Sequence, residues 1–376
     1  MTVDVHHEVV GPAGAPAVVL AGSLGSDLRM WDPQVEPLLA AGFRVVRYDH
    51  RGHGRSPAPA GPYSLPELGA DLVALLDRLE LPRVSLVGLS LGGMTGMWLG
   101  INAPERLDRL VLCCTSAELG PREMWVDRAR AARESGMDSL ADAAVGRWLT
   151  HAGRAANPSL SAWLHEMVAG TDAEGYASCC TAIETMSIVD KLAAVAAPTL
   201  VIAGDQDQAT PPEHARRIAA AIPDARLEIV AGAAHLGNVE RPAEFTALVL
   251  SHLRSRRTAG MEVRRAVLGD EHVARAVAGT TDFTRPFQDF ITESAWGAVW
   301  TRPGLDRRTR SVITLTALVA LKCHDEIPMH VRAALLNGLT RAEIAEVLLH
   351  TSVYAGVPAG NAAFAIAERT LEELDD

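Results

Sequence analysis

The sequence predicts a doubly wound α/β sheet with a helical lid, followed by a separate all-α domain. Three observations predict it. Up to about residue 255, short apolar or β-branched runs alternate with segments of helical periodicity, the pattern of parallel strands and their crossover helices. Within that alternation the interval 119–192 keeps a helical period, carries Trp125, Trp148 and Trp163, and shows no strand pattern, so it reads as an insertion over one edge of the sheet. Beyond a polar, charged and aperiodic stretch around 254–260, every segment is helical. The expected boundaries are a domain over 1–255 with its lid at about 119–192, a linker at 256–261, and a domain over 262–376, both of ordinary domain size.

Taken in order, residues 17–21, 43–48, 84–88, 109–114, 199–203 and 226–230 are near-continuous apolar runs, as strands covered on both faces require. Helical patterns lie between them, among them 65–79 and 213–221. The uncharged run 84–101 is about as long as a membrane span. It is studded with Gly88, Gly92, Gly93, Gly96 and Gly100, and a buried strand turning sharply into a buried helix has the same hydropathy. In the second half, 270–278, 289–299, 306–321, 328–337, 341–354 and 359–374 read as helices. Pro303-Gly304 and Asn337-Gly338 break them, and Thr340 with Glu343 forms a capping box.

Of 376 residues, 48% are hydrophobic and 22% charged, which excludes disorder and fibrous repeats. The net charge of −11 repels phosphate backbones and no basic patch offsets it, so no nucleic-acid partner is expected. Lysine occurs only at Lys191 and Lys322, leaving the cations almost entirely to guanidinium groups, which grip a carboxylate in two-pronged geometry. The five cysteines are odd in number, form two adjacent pairs and lack zinc spacing. Buried reduced thiols, no metal and a cytoplasmic location are therefore expected. The first ten residues lack an apolar stretch of signal-peptide length, and no membrane partner is expected.

The strongest chemical signal is Val87-Gly88-Leu89-Ser90-Leu91-Gly92-Gly93, between a predicted strand and a predicted helix. Small residues around the serine allow a strained turn that lifts its hydroxyl off the sheet. A serine hydroxyl needs a base, and the base an orienting carboxylate, each after a later strand. Asp205 and Asp207 follow the run 199–203; Asp207 is the preferred acid, with Asp205 capping the strand end. His235, in Ala231-Gly232-Ala233-Ala234-His235, follows the next strand and is the base. The oxyanion donors are expected to be the backbone N–H of Leu91 and that of Ser23 or Leu24, in the loop after the first core strand.

Three stretches together resemble the 3-oxoadipate enol-lactonases of the α/β-hydrolase superfamily. They are Gly22-Ser23-Leu24-Gly25-Ser26-Asp27-Leu28-Arg29-Met30-Trp31-Asp32, Tyr48-Asp49-His50-Arg51-Gly52-His53-Gly54-Arg55-Ser56, and the serine turn itself. The second is shared widely in that superfamily and says little about substrate; the first is more particular. Where the family commonly has an asparagine before Ser23, this chain has Gly22. The resemblance implies an α/β-hydrolase sheet whose helical lid shapes the pocket, with Trp125, Arg128 or Arg133 reaching the substrate carboxylate.

The second half carries its own blocks. Arg264 through Val273, Phe287 through Trp300, Arg302-Pro303-Gly304-Leu305-Asp306 and His330 through Gly338 agree in order and spacing with 4-carboxymuconolactone decarboxylases, from about residue 261 to the last helix. Such an enzyme stabilises a dienolate oxygen, holds the substrate's carboxylates and delivers a proton to carbon, without metal or organic cofactor. His330 is the expected proton donor, with Glu326, four residues earlier, setting its charge. Arg310 and Arg332 are the expected carboxylate grips, and His350 and Tyr354 repeat the four-residue spacing on a later helix. A redox role is disfavoured because Cys323 stands without the second cysteine that a Cys-x-x-Cys pair before His330 would need; it reads as a packed core thiol.

Together the two resemblances imply a fusion of successive steps in protocatechuate breakdown, the β-ketoadipate pathway. It would act on small anionic lactones and self-associate through the helical domain. The alternative is a generic serine esterase or perhydrolase fused to a non-catalytic helical oligomerisation module.

Overall fold

The structure, a computed structural model, describes residues 2–254 and 256–375, the side chains of 256 and 257 excepted. The chain divides into two compact units, Met1–Leu253 and Arg254–Asp376. In the first, strands β1 (His7–Val10), β2 (Ala17–Ala21), β3 (Arg44–Tyr48), β4 (Val84–Leu89), β5 (Leu107–Cys113), β6 (Thr199–Gly204) and β7 (Arg226–Val230) form one sheet. Its order is β1-β3-β2-β4-β5-β6-β7. All neighbours are parallel except β1, which runs antiparallel to β3. The sheet is therefore mixed where the sequence predicted parallel strands only. β1 escapes a periodicity reading because His-Glu-Val-Val is short and half polar. All six residues of β4 and of β6 are buried, whereas β7, at the sheet's edge, leaves Arg226, Glu228 and Ile229 exposed.

Helices α1 (Asp32–Ala40), α2 (Leu65–Arg78) and α3 (Leu91–Asn102) follow the first strands. On α2 the spacing of Leu65, Leu68, Leu72, Leu75 and Leu76 gives one buried face, each leucine contributing about 1.5–3 kcal/mol when fully removed from water. The uncharged run 84–101 is β4, the turn at Ser90, and α3. No helix among the described residues is long and apolar enough to cross a membrane. The insertion consists of α4 (Arg122–Ser135), α5 (Asp138–Trp148), α6 (His151–Ala156), α7 (Pro158–Ala169) and α8 (Ala173–Glu184). After it, α9 (Pro212–Ala221), α10 (Gly237–Glu240) and α11 (Pro242–Leu253) alternate with the last two strands.

The second unit is helical throughout its described residues: α12 (Arg256–Leu268), α13 (Asp270–Ala278), α14 (Arg285–Ile291), a π-helical segment Thr292–Trp300, α15 (Arg307–Ala320), α16 (Ile327–Leu336), α17 (Arg341–Ala355) and α18 (Val357–Glu372). The stretch 256–261 read as a linker is the first half of α12. Its arginines and polar residues suit a helix whose apolar side, Val263 and Val267, begins only later. The capping box forms: Thr340 Oγ1 accepts the Glu343 N–H at 3.2 Å, and Glu343 Oε2 accepts the Thr340 N–H at 2.9 Å. The core is small, centred on Leu315, Val319, Ile327, Val331, Ile344 and Leu348. Large apolar side chains remain outside it, Phe283 being 94% exposed and Phe287, Phe290 and Val353 also exposed. Among the five free cysteines four are buried, but Cys323 is only half-buried, so it is not a core thiol.

Candidate active sites

The first site lies at the C-terminal ends of the parallel strands. Ser90 takes φ 55° and ψ −114°, the strained left-handed geometry that turns β4 into α3. Glycines permit the turn: a Cβ on Gly92 would lie 2.1 Å from the Ala21 carbonyl oxygen, and one on Gly88 2.3 Å from that of Gly92. The backbone around Ser90 is fixed on both sides. Its N–H donates to the Cys113 carbonyl at 3.0 Å, and Thr115 Oγ1 donates to its carbonyl at 2.7 Å.

Asp207 and His235 meet as the order of strands requires. His235 Nδ1 lies 2.9 Å from Asp207 Oδ2, and both residues are buried. Asp207 Oδ1 accepts the N–H groups of Ala209 and Thr210 at 2.8 and 2.9 Å, and Thr210 Oγ1 donates to Oδ2 at 2.8 Å. Burial pushes the Asp207 carboxyl up, but the charge of His235 and the hydrogen bonds from His235 and Thr210 outweigh it, so its pKa falls below the ordinary value. Asp205 serves elsewhere, accepting the Gly232 N–H at 2.8 Å. The His235 loop is tied next to the serine turn: the Cys114 thiol, one residue after Ser90's partner Cys113, lies 3.8 Å from the Ala234 carbonyl oxygen.

Of the three amides named as oxyanion donors, Ser23 N–H is engaged with Met30 Sδ at 3.3 Å. Leu91 N–H, at the first position of α3, has no intrahelical partner to find. Leu24 N–H has no hydrogen bond among the described residues. The loop carrying Leu24 is held by two histidines that sequence reasoning passed over. Gly25 N–H donates to His53 Nε2 at 2.9 Å, and His50 Nε2 lies 3.2 Å from the Gly22 carbonyl oxygen. Burial lowers both pKa values, that of His50 to about 3. The widely shared string 48–56 thus supports the oxyanion loop. Asp49 accepts the N–H groups of Leu28 and Arg55, while Arg51 binds Asp71 through two hydrogen bonds of 2.6 and 2.8 Å. Breaking such a buried pair from one side costs about 3–5 kcal/mol.

The lid residues divide. Arg133 is bound to Glu174 through two hydrogen bonds of 2.7 and 2.8 Å, joining α4 to α8, so it is not available to a ligand. Arg133 holds the Glu174 pKa down, to about 2. Arg128 has no carboxylate partner among the described residues; its guanidinium stacks on the buried Trp125 ring at 5.2 Å. Its charge acts on Tyr176 and Cys180, and a Cβ on Gly25 would lie 3.1 Å from Tyr176 and 3.8 Å from Trp148. Arg128 and the oxyanion loop therefore share the Tyr176 neighbourhood.

The second unit departs further from expectation. His330, on α16, is pulled down to about 4 by burial and secondarily by the charge of His272. Glu326 is not its partner. The α-helix begins only at Ile327, Glu326 closes a 3-10 turn (His324–Glu326), and its exposed carboxylate acts instead on His272. Arg332 is exposed and paired with Glu373 at 2.5 Å. Arg310 donates to the carbonyls of Leu305 and Arg302, at 3.2 and 2.9 Å, and serves the turn before α15. His350 and Tyr354 do share a face, their rings 5.2 Å apart, but on the exposed side of α17, with Tyr354 79% exposed. The residues that sequence reasoning missed are His272 and Arg264. Burial lowers the His272 pKa, and the charges of Arg275, Arg264 and Arg332 add to it against that of Glu326. Both residues stand in the block 264–273; the linker reading hid the helix that carries Arg264, while the one that carries His272 was read at 270–278.

A serine on a strand-to-helix elbow, with an acid and a histidine after two later strands, defines an α/β hydrolase, here joined to a second, helical unit. The chain belongs to the Alpha/beta hydrolase family, which matches residues 14–248, and to the Carboxymuconolactone decarboxylase family, which matches residues 285–369. The first part is 38% identical over 243 residues to 3-oxoadipate enol-lactonase 2 of Acinetobacter baylyi, covering 65% of this chain and 90% of that protein. The second is 50% identical over 115 residues to 4-carboxymuconolactone decarboxylase of the same organism, covering 31% of this chain and 86% of that protein. Among solved structures, the enol-lactonase from Burkholderia xenovorans LB400 superposes with a TM-score of 0.65 at 42% identity, covering 67% of this chain and 96% of that one.

Proposed function

We propose that this chain is a bifunctional enzyme of the β-ketoadipate pathway: its helical unit decarboxylates 4-carboxymuconolactone to 3-oxoadipate enol-lactone, and its first unit hydrolyses that lactone to 3-oxoadipate. The observation that carries the reading is the pairing, in one chain, of relatives that catalyse consecutive reactions.

In the hydrolase, Ser90 Oγ attacks the lactone carbonyl while His235 Nε2 takes its proton, and Asp207, bound at Nδ1, holds the ring and balances its charge. The N–H groups of Leu91 and Leu24 receive the oxyanion, since that of Ser23 is engaged with Met30. The leaving group is an enolate that becomes a ketone, so little general-acid assistance is needed. Water then attacks the acyl-serine, His235 again taking the proton, and 3-oxoadipate leaves. Arg128, lacking an acidic partner near the oxyanion loop, receives the substrate's carboxylate; Trp125 supports it.

In the decarboxylase, the bond from the lactone γ carbon to its carboxylate breaks. Carbon dioxide leaves, the electron pair passes into a dienolate, and a proton reaches the α carbon. His330 is the proton donor. It is neutral in the empty site, and the negative charge of the bound substrate raises its affinity for a proton. The reading places the enzyme in the cytoplasm, in keeping with its five free cysteines, and gives the exposed Phe287 and Phe290 to self-association of the helical unit.

The test supplies 4-carboxymuconolactone to the purified chain. One equivalent each of carbon dioxide and 3-oxoadipate is expected, and Ser90→Ala should still release carbon dioxide but stop at the enol-lactone. Absence of carbon dioxide removes the decarboxylase; ring opening by Ser90→Ala removes the triad.

A further inference from the structure

We propose that Arg264 is the carboxylate anchor of the helical unit, binding an organic anion through the Nε and Nη2 edge of its guanidinium; this rests on the decarboxylase reading and deepens it. Three arginines are buried among the described residues, and the contrast between them is informative. Arg47 is paired with Glu8 and Asp32, and Arg51 with Asp71 and Glu67. Arg264, 5% exposed, has no carboxylate partner among the described residues. Its Nη1 donates to two neutral oxygens, Gln288 Oε1 at 3.0 Å and Thr292 Oγ1 at 3.4 Å. Among the described residues its Nε is buried with no hydrogen-bond partner, and its Nη2 makes no hydrogen bond. A guanidinium held dry against neutral groups is costly unless a ligand supplies the missing charge.

Gln288 and Thr292 hold one corner of the fork, leaving without a hydrogen bond the edge that presents two parallel N–H groups, the geometry that grips both oxygens of a carboxylate. The mounting is rigid because α12 packs tightly on the segment Thr292–Trp300: a Cβ on Gly260, one turn before Arg264, would lie 2.1 Å from the Thr292 carbonyl oxygen. α12 also packs on α16, which carries His330; the charge of Arg264 acts on His272, and that of His272 acts on His330. Arg264, His272 and His330 thus form a cationic or protonatable cluster in which the exposed Glu326 acts on His272 while Arg264 has no carboxylate partner among the described residues. The chemical class of ligand is a small organic carboxylate, such as the second carboxylate of a lactone dicarboxylic acid.

The experiment uses the full chain bearing Arg264→Met or Arg264→Lys. For Arg264→Met, the decarboxylation KM should rise by about tenfold or more, as loss of a charge-assisted hydrogen bond predicts. Hydrolysis of the enol-lactone by the same protein should be unchanged, and the unfolding temperature unchanged or higher. An unchanged KM, or a rise in KM accompanied by a fall in unfolding temperature, overturns the anchor and makes Arg264 a structural residue. Should Arg264→Met not fold, Arg264→Lys keeps the charge without the fork; a raised KM supports the proposal and a wild-type KM overturns it. Calorimetric titration with adipate separates this claim from the decarboxylase reading. Weaker binding to Arg264→Lys than to the wild type upholds the anchor even if no carbon dioxide is released, and equal binding overturns it.

Discussion

The Nε2 of His53 accepts the amide proton of Gly25 at 2.9 Å, while its Nδ1 lies 3.1 Å from the Arg51 carbonyl oxygen. Both bonds are satisfied only by the neutral ring with its proton on Nδ1, and burial, which lowers the His53 pKa, favours that form. A residue far from the triad in sequence thereby sets the position of the oxyanion loop. His53→Ala is expected to lower the hydrolytic kcat by about tenfold or more with little change in KM, a fraction of the 10²–10³ that loss of an oxyanion donor costs. His53→Gln, which can still accept from Gly25, should recover most of it. Steady-state kinetics on the enol-lactone check both, and a change in KM alone would assign His53 to the pocket instead.

Ser90→Ala and Asp207→Asn should differ in degree. Removing the nucleophile is expected to lower hydrolysis by about 10⁶, and misorienting the base by about 10⁴. Decarboxylation should be untouched in both variants, since Ser90 and Asp207 lie in the first compact unit. The comparison is made by following carbon dioxide and 3-oxoadipate separately.

The two lid arginines should separate by readout. Arg128→Met is expected to raise the KM for the enol-lactone about tenfold without altering stability, because it removes an unpaired cation. Arg133→Met should leave KM unchanged and cost about 0.2–1 kcal/mol, the value of an exposed ion pair, through its loss of Glu174. Kinetics and thermal unfolding, run side by side, distinguish them.

The half-buried His330 of the helical unit predicts an acid-sensitive fold. His330 titrates near 4 when folded and near 6.5 when unfolded, so between these values the unfolded chain binds a proton that the native one refuses. Stability contributed by neutral His330 is fully present above about 6.5 and is lost as pH falls toward 4. Unfolding followed between those values should show this decline, and His330→Gln should flatten it.

Much of the hydrolase site is legible in sequence because its chemistry is tied to strand ends. Ser90, Asp207 and His235 each follow an apolar run, and a two-residue periodicity error there does not move a loop from one end of the sheet to the other. The choice of Asp207 over Asp205 was also readable, from its place three residues past Gly204 and just before Pro211-Pro212; Asp205, next to the strand end, receives the Gly232 N–H instead. The choice between Ser23 and Leu24 was not. It depends on Met30, seven residues on, reaching back to occupy one amide. In the helical unit the limit was the helix boundary. The pairing of Glu326 with His330 needs a helix that begins before Glu326, whereas α16 begins at Ile327, and treating 256–261 as a linker left Arg264 outside any predicted helix. Side chains brought together between helices have no fixed spacing, which is why His272 was invisible.

The two residues flanking His235 are anchored differently from the histidine itself. Leu236 N–H donates to the carbonyl of Trp148 at the end of α5, and Ala234 N–H donates to Glu240, whose other carboxylate oxygen receives Thr150 N–H and Oγ1. The helical insertion therefore cannot be exchanged as an interchangeable cassette cut at its two ends. A lid grafted from another hydrolase would have to bring its own partners for Leu236 and Glu240, or the catalytic base would be displaced along with the helices that were replaced.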